Sequence, residues 1–275
     1  MHVRFVLLLR GLTLTSLLVA CGGSDAPAQA PGDNTPFTSD PNKTVVIGPG
    51  GGSAATGGSS GCVTLPNGQC VEAKQCGAGE RRDVIVDSAG KVVAVVCYPA
   101  DSAPPTVNSD GNVDLDKTNN NGVVAIDGAD DGVDIAGNVN AAGNNVVVYG
   151  EGPAVSVIGG NVTSTGNNFS LRGVTVKGNV KVSGNNATLV LCNVEGNIEL
   201  EGNNNVIAEC SVLGNIVIKG VNNVVVGNEV GGSVSAGEDK NTVCDGNVVW
   251  TDANANKVFD AGEGGAAIAC GGKPK

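Results

Sequence analysis

Gly178-Asn179-Val180-Lys181-Val182-Ser183-Gly184-Asn185-Asn186-Ala187-Thr188-Leu189-Val190-Leu191-Cys192-Asn193-Val194-Glu195 is the stretch on which the fold turns. Its apolar residues come in pairs two apart: Val180 and Val182, Ala187 and Leu189, Cys192 and Val194. That is the period of a β-strand, whose side chains alternate between two faces. Three such pairs within 18 residues describe three short strands, a triangular coil. Gly and Asn stand at some of the junctions, and both tolerate the positive φ angles of sharp corners.

The unit recurs in both directions. Gly160, Gly178, Gly196, Gly214 and Gly232 follow one another at steps of 18 residues, while Gly111 and Gly137 open two longer steps of 26 and 23. A second mark stands six residues into the unit: Gly166-Asn167-Asn168, Gly184-Asn185-Asn186, Gly202-Asn203-Asn204, then the variant Gly220-Val221-Asn222-Asn223. A fixed short period marks a solenoid. The expected fold is therefore all-β: a small parallel β-helix of about 18 residues per coil over 106–236, preceded by a small disulfide-stapled β module. The unequal gaps between marks do not fit the strict hexapeptide rule of left-handed helices, so a right-handed one is expected. Asn repeated at one corner can stack as a hydrogen-bonded ladder. In-register coils place residues 18 apart about 4.8 Å from each other. Lys177 then meets Glu195, Lys181 meets Glu199, and Glu201 meets Lys219. Cys192 and Cys210 also coincide, both facing inward, as a buried thiol stack or a disulfide.

Over about 111–236 the repeats resemble secreted bacterial families of Gly-Asn-Asn β-helix repeats. The resemblance implies fold and says little of activity.

Residues 1–20 read as an export signal: Arg4 and Arg10 supply positive charge, and the mainly apolar run from Leu12 to Ala20 is too short for an ordinary membrane span. It ends in Leu18-Val19-Ala20-Cys21, which resembles the bacterial lipobox. That resemblance implies cleavage before Cys21, a diacylglyceryl group on its thiol, and acylation of the new amine. The expected location is the cell envelope, with the chain held to a membrane by the lipid (palmitate or a similar acyl chain). Gly22, where an Asp would favour inner-membrane retention, points to the outer membrane if the envelope is Gram-negative. Residues 21–60, poor in large apolar groups, read as a flexible tether.

Loss of the first 20 residues removes two positive charges and no acidic ones, moving the net charge from −11 to −13. Nucleic acid is excluded as a partner, because phosphate binding needs clustered positive charge. The single histidine, His2, leaves with the signal, and with it any Ser-His-Asp or Cys-His chemistry and any His-ligated metal. Besides Cys21 there are eight cysteines, an even number that suggests disulfides in an exported chain. Cys62, Cys70, Cys76 and Cys97 surround a hairpin signal in 61–100, with β-rich runs Asp83–Val86 and Val92–Val96 around Ser88-Ala89-Gly90-Lys91. A core that small needs staples, and four cysteines allow three pairings.

The C-terminal region 237–275 carries Asp252-Ala253-Asn254-Ala255-Asn256-Lys257-Val258-Phe259-Asp260-Ala261-Gly262-Glu263. Oxygen side chains stand at positions 1, 3, 5, 9 and 12, with a backbone carbonyl at position 7, the donor spacing of a Ca²⁺ loop. With Val249-Trp250 before it and Gly264-Gly265 after it, the segment resembles the start of the calcium-binding B-type repeats of serine-aspartate surface adhesins. The resemblance covers roughly 248–268 and implies Asp252, Asn254, Asn256, Val258 (carbonyl), Asp260 and Glu263 as ligands of calcium. Lys257 departs from the Gly usual at position 6. A Cys244–Cys270 disulfide would pin the loop over the last coil as a cap. A second acidic group, Asp114, Asp116, Asp127, Asp130, Asp131 and Asp134, reads as a solvated cap on the first coil.

The expected function is that of a non-catalytic envelope lipoprotein presenting a rigid acidic β-helix for binding, adhesion or spacing. Its expected partners are the membrane, through Cys21, and an envelope or extracellular protein or glycan. The alternative is a carbohydrate-active β-helix enzyme, a polysaccharide lyase or glycosidase. Against it, Glu199 and Glu201 each have a Lys in the neighbouring coil, and aromatic platforms for sugars are scarce.

Overall fold

The computed structural model describes strands at 44–47, 53–55, 62–64 and 70–72, Cys76, and residues 80–99, 111–126, 135–150, 156–236, 241–260 and 262–271. Every regular element among them is a β-strand. The signal and Cys21 lie outside the described residues, as do Asp127, Asp130, Asp131 and Asp134.

The repeats build a three-faced parallel β-solenoid with seven strands on each face. In the coil from Gly178, Val180–Val182 lies on the first face, Thr188–Val190 on the second and Asn193–Val194 on the third. Each pairs in parallel with residues 18 positions on: Val180 with Ile198, Leu189 with Ile207, Val194 with Val212. All six apolar residues read as inward are at most 2% exposed. They join one continuous core that runs from Val113 to Ile268 and includes Phe169.

The two sequence marks have different physical reasons. The second Asn of each Gly-Asn-Asn holds the left-handed corner: Asn145, Asn168, Asn186, Asn204 and Asn222 have φ between 57° and 58°. Its side-chain amide donates to the matching Asn one coil earlier, as from Asn186 to Asn168 at 3.0 Å. The Gly serves close approach instead. A Cβ on Gly184 would stand 1.9 Å from the Gly166 carbonyl oxygen, so the coils could not stack at this corner. A second ladder runs through the Asn after the opening Gly: the Asn161 Oδ1 accepts from the Asn179 backbone at 2.8 Å, and Asn179 Oδ1 from Asn197 at 2.9 Å.

Two further columns were not anticipated. The position held by Phe169 and Ala187 becomes Asn205 and Asn223, and the position of Cys192 and Cys210 becomes Asn228 and Asn247. All four Asn are buried. Their Oδ1 atoms accept backbone N–H groups of the preceding coil, such as Ala187 to Asn205 at 2.8 Å and Cys210 to Asn228 at 2.9 Å. Cys192 and Cys210 themselves form a disulfide across adjacent coils.

The N-terminal module does not stand apart. Glu80–Val86 and Val92–Pro99 form the expected antiparallel hairpin. Thr44–Ile47 pairs with the first of these strands, and Ser53–Ala55 pairs with Thr44–Ile47. Part of the stretch read as tether therefore lies in strands, because the β-branched run Thr44-Val45-Val46-Ile47 suits a sheet better than its Gly-rich surroundings do. Cys62–Thr64 and Cys70–Glu72 form a separate two-stranded pair. Of the three pairings open to the module's cysteines, the one containing Cys76–Cys97 is formed.

The hairpin packs on the second face of the solenoid. Ile85 and Val96 share a buried cluster with Val190, Leu191, Val206 and Ala208. Asp83 pairs with Arg172, and the Ser88 amide donates to Asp245 Oδ2 at 2.7 Å. Arg172 and Asp245 belong to one outward column, Arg172-Val190-Ala208-Val226-Asp245, four coils long or about 19 Å. The five residues from Asp83 to Ser88 span about 17 Å when extended. The hairpin thus lies lengthwise along the stack, across its strands.

Candidate functional site

Two regions gather polar side chains on the solenoid surface. The first is the outward column of the first face. Lys181 Nζ lies 3.4 Å from Glu199, and Lys219 Nζ lies 2.6 Å from Glu199 and 3.0 Å from Glu201. These lysines hold Glu199 below the ordinary carboxylate range, and Lys219 is raised by its two Glu partners. Of the three pairs expected from the register, Lys181–Glu199 and Glu201–Lys219 are formed. The third is replaced: Glu195 binds Lys257 at 2.7 Å.

Nearer the N-terminal end of the same face is a shallow depression of about 240 Å³ lined by Asp114, Asp116, Asn140, Thr163 and Thr165. Asp114 accepts from Asn140 at 2.7 Å, and Asp116 accepts from the Thr118 hydroxyl and amide. The Thr118 contacts hold Asp116 below its ordinary range.

The second region is the C-terminal loop. Asp252 accepts from the backbone of Asn256 at 3.1 Å and of Lys257 at 3.0 Å, tying position 1 to positions 5 and 6. The amides of Asn254 and Asn256 both reach Asp260 Oδ2, at 2.7 and 2.8 Å, which brings positions 3, 5 and 9 together. Lys257 has φ 62°, the left-handed turn usually given to Gly at position 6. Glu263 accepts from Trp250 Nε1 at 3.1 Å, from the Ala253 amide at 2.9 Å and from the Asp260 amide at 3.1 Å. It therefore closes the loop onto the only tryptophan of the chain. Val258 is half exposed. Among the described residues no three His, Cys, Asp or Glu side chains gather as a metal cluster, and two of the loop's oxygen side chains are asparagines.

The loop does not sit over the last coil as expected. Lys257 is held by Glu195, and its carbonyl accepts from Asn193 Nδ2 at 3.1 Å, three coils before the strand Val248–Trp250 that leads into the loop. The loop is a strap along the third face, over the column Asn193-Ser211-Glu229. Burial raises Glu229 to about 7, while its 3.0 Å bond from Ser211 pulls the other way. The end of the stack is closed by the segment after the loop. Gly264–Ala267 pairs antiparallel with Val248–Trp250, and Ile268 enters the core. The expected Cys244–Cys270 disulfide fastens this segment. An antiparallel strand followed by a buried Ile is what ends a parallel stack.

Sequence reading missed the strap because Lys257, Asn193 and Glu195 are more than 60 residues apart. The unpaired register at Glu195 was its only signal. No protein-family model, curated protein or solved structure matches this chain.

Proposed function

We propose that the chain is a lipid-anchored protein of the bacterial cell envelope. Its solenoid would be a non-catalytic, rigid body presented to an envelope or extracellular protein or glycan. The observation that carries this reading is the first-face network: Glu199 and Glu201, the carboxylates best placed on the regular coils for chemistry, are bound by Lys181 and Lys219. A carboxylate held low by two ammonium groups is a poor general acid. The export reading of residues 1–20 and the lipobox at Cys21 supply the anchor, and three disulfides suit an oxidising compartment. Feeding cells a clickable fatty acid tests the anchor: label should appear on the wild type and vanish in Cys21→Ser. Label that persists, or never appears, would sink it.

The strap loop is proposed to hold Ca²⁺ through Asp252, Asn254, Asn256, the Val258 carbonyl, Asp260 and Glu263. The convergence of Asn254, Asn256 and Asp260, and the left-handed turn at Lys257, support that donor set. A bound ion would supply rigidity to the strap.

One observation favours a carbohydrate-active enzyme instead, the depression between Asp114, Asp116, Thr163 and Thr165. Incubation with acidic glycans and detection of unsaturated products or new reducing ends decides between the two. Turnover abolished by Asp114→Asn would replace the scaffold reading.

A further inference from the structure

Lys257 presents a contradiction. It sits at the turn of a loop whose side chains are mostly oxygen donors, and an ammonium there should repel any cation the loop takes. Its conformation adds a second oddity, since φ 62° is costly for any residue with a Cβ other than Asn or Asp. A Gly would remove both problems.

What a Gly would lose is the pair of contacts to the third face. Lys257 Nζ lies 2.7 Å from Glu195 Oε2, and this carboxylate is mostly covered, at 16% side-chain exposure. The Lys257 carbonyl accepts from Asn193, itself buried beneath the strap. The same residue thus makes the loop's turn and fastens the loop to the coil of Asn193. Asp252 anchors the Lys257 amide, so loop and latch share one backbone segment.

We propose that Lys257 is a latch whose pairing with Glu195 both neutralises its charge toward the loop and holds the strap on the third face, so that Glu195, which lies outside the loop, sets the loop's affinity for a divalent cation. The proposal rests on the reading of the loop as a Ca²⁺ site. Binding and docking are then linked, and by reciprocity the cation must tighten the strap as much as the strap tightens the cation. The raised pKa of Lys257, caused first by its bond to Glu195, agrees with an ammonium already satisfied by a carboxylate.

A double-mutant cycle on the full chain tests this, with Ca²⁺ alone as probe and calorimetry and Trp250 fluorescence as readouts. Glu195→Gln should weaken Ca²⁺ binding by about fivefold or more, the range of a modest coupling. Lys257→Gly keeps the left-handed turn and removes the ammonium, so it should bind Ca²⁺ at least as well as the wild type. In the Lys257→Gly background, Glu195→Gln should then have no further effect. Equal weakening in both backgrounds would make Glu195 a plain long-range charge and overturn the latch while leaving the site. Wild-type affinity in Glu195→Gln would do the same. A wild type that shows neither heat nor a fluorescence change with Ca²⁺ would overturn the site, and the latch with it.

Discussion

Arg172 and Asp83, 89 residues apart in the chain, form a two-pronged ion pair in which both side chains are at most 4% exposed. Nε and Nη2 of the guanidinium reach the two carboxylate oxygens at 2.5 and 3.3 Å. Removing one partner strands a buried charge. Asp83→Ala should cost about 3–5 kcal/mol, whereas Asp83→Leu combined with Arg172→Met should recover most of it. Urea unfolding of the three variants checks this. A single mutant as stable as the wild type would mean that hairpin and solenoid do not share this pair.

The corner Asn residues should be hard to replace. Asn186→Val puts a β-branched residue at φ 58° and cuts the amide chain between Asn168 and Asn204. A loss of roughly 1–3 kcal/mol follows from backbone strain. Asn186→Gly keeps the turn and should lose less. The order of the two melting temperatures is the readout.

Glu229 should make stability depend on pH. Its folded pKa, about 7, lies above the ordinary 4.5, so the folded state binds more protons between those values. Stability conferred by protonated Glu229 is present below the ordinary carboxylate range and is lost as pH rises through 7. Glu229→Gln should flatten that part of a plot of melting temperature against pH. A wild-type profile identical to that of the variant would show that the strap leaves Glu229 in water.

Calcium should raise the melting temperature, and chelator should lower it. At 100 times the dissociation constant the gain is about 2.7 kcal/mol. Asp252→Ala should remove the dependence. Its persistence would place the ion elsewhere.

The three disulfides should open in order of access. Cys76, Cys97, Cys244 and Cys270 are partly exposed, whereas Cys192 and Cys210 are at most 2% exposed. Mild reductant followed by alkylation and mass spectrometry should label the first two pairs while the third stays closed until global unfolding.

The solenoid was legible because its information is local and repeated. Val180, Val182, Ala187, Leu189, Cys192 and Val194 declare their inward direction within one coil, and an 18-residue step gives the register. The buried Asn205, Asn223, Asn228 and Asn247 were readable by extending the same columns, but Asn looks like a corner residue until its column is followed inward. The docking of the hairpin and the path of the strap were not legible. They depend on single contacts across 60 to 160 residues, as between Lys257 and Glu195 or Ser88 and Asp245, and no period announces these. The direction of the loop failed for the same reason: the spacing of Asp252 to Glu263 describes the loop and not the surface beneath it.

The lengthwise hairpin has a mechanical consequence. Thr44–Ile47 joins the chain's N-terminal part to the strand that carries Asp83, and that strand is bolted across four coils from Arg172 to Asp245. Tension applied through the N-terminus therefore loads this sheet first and spreads along the stack, as a splint spreads load over a bone. A solenoid pulled from its first coil would unzip one turn at a time. Here several turns must yield together, so rupture in a single-molecule pulling experiment should come as one high-force event and not as a staircase of 18-residue steps.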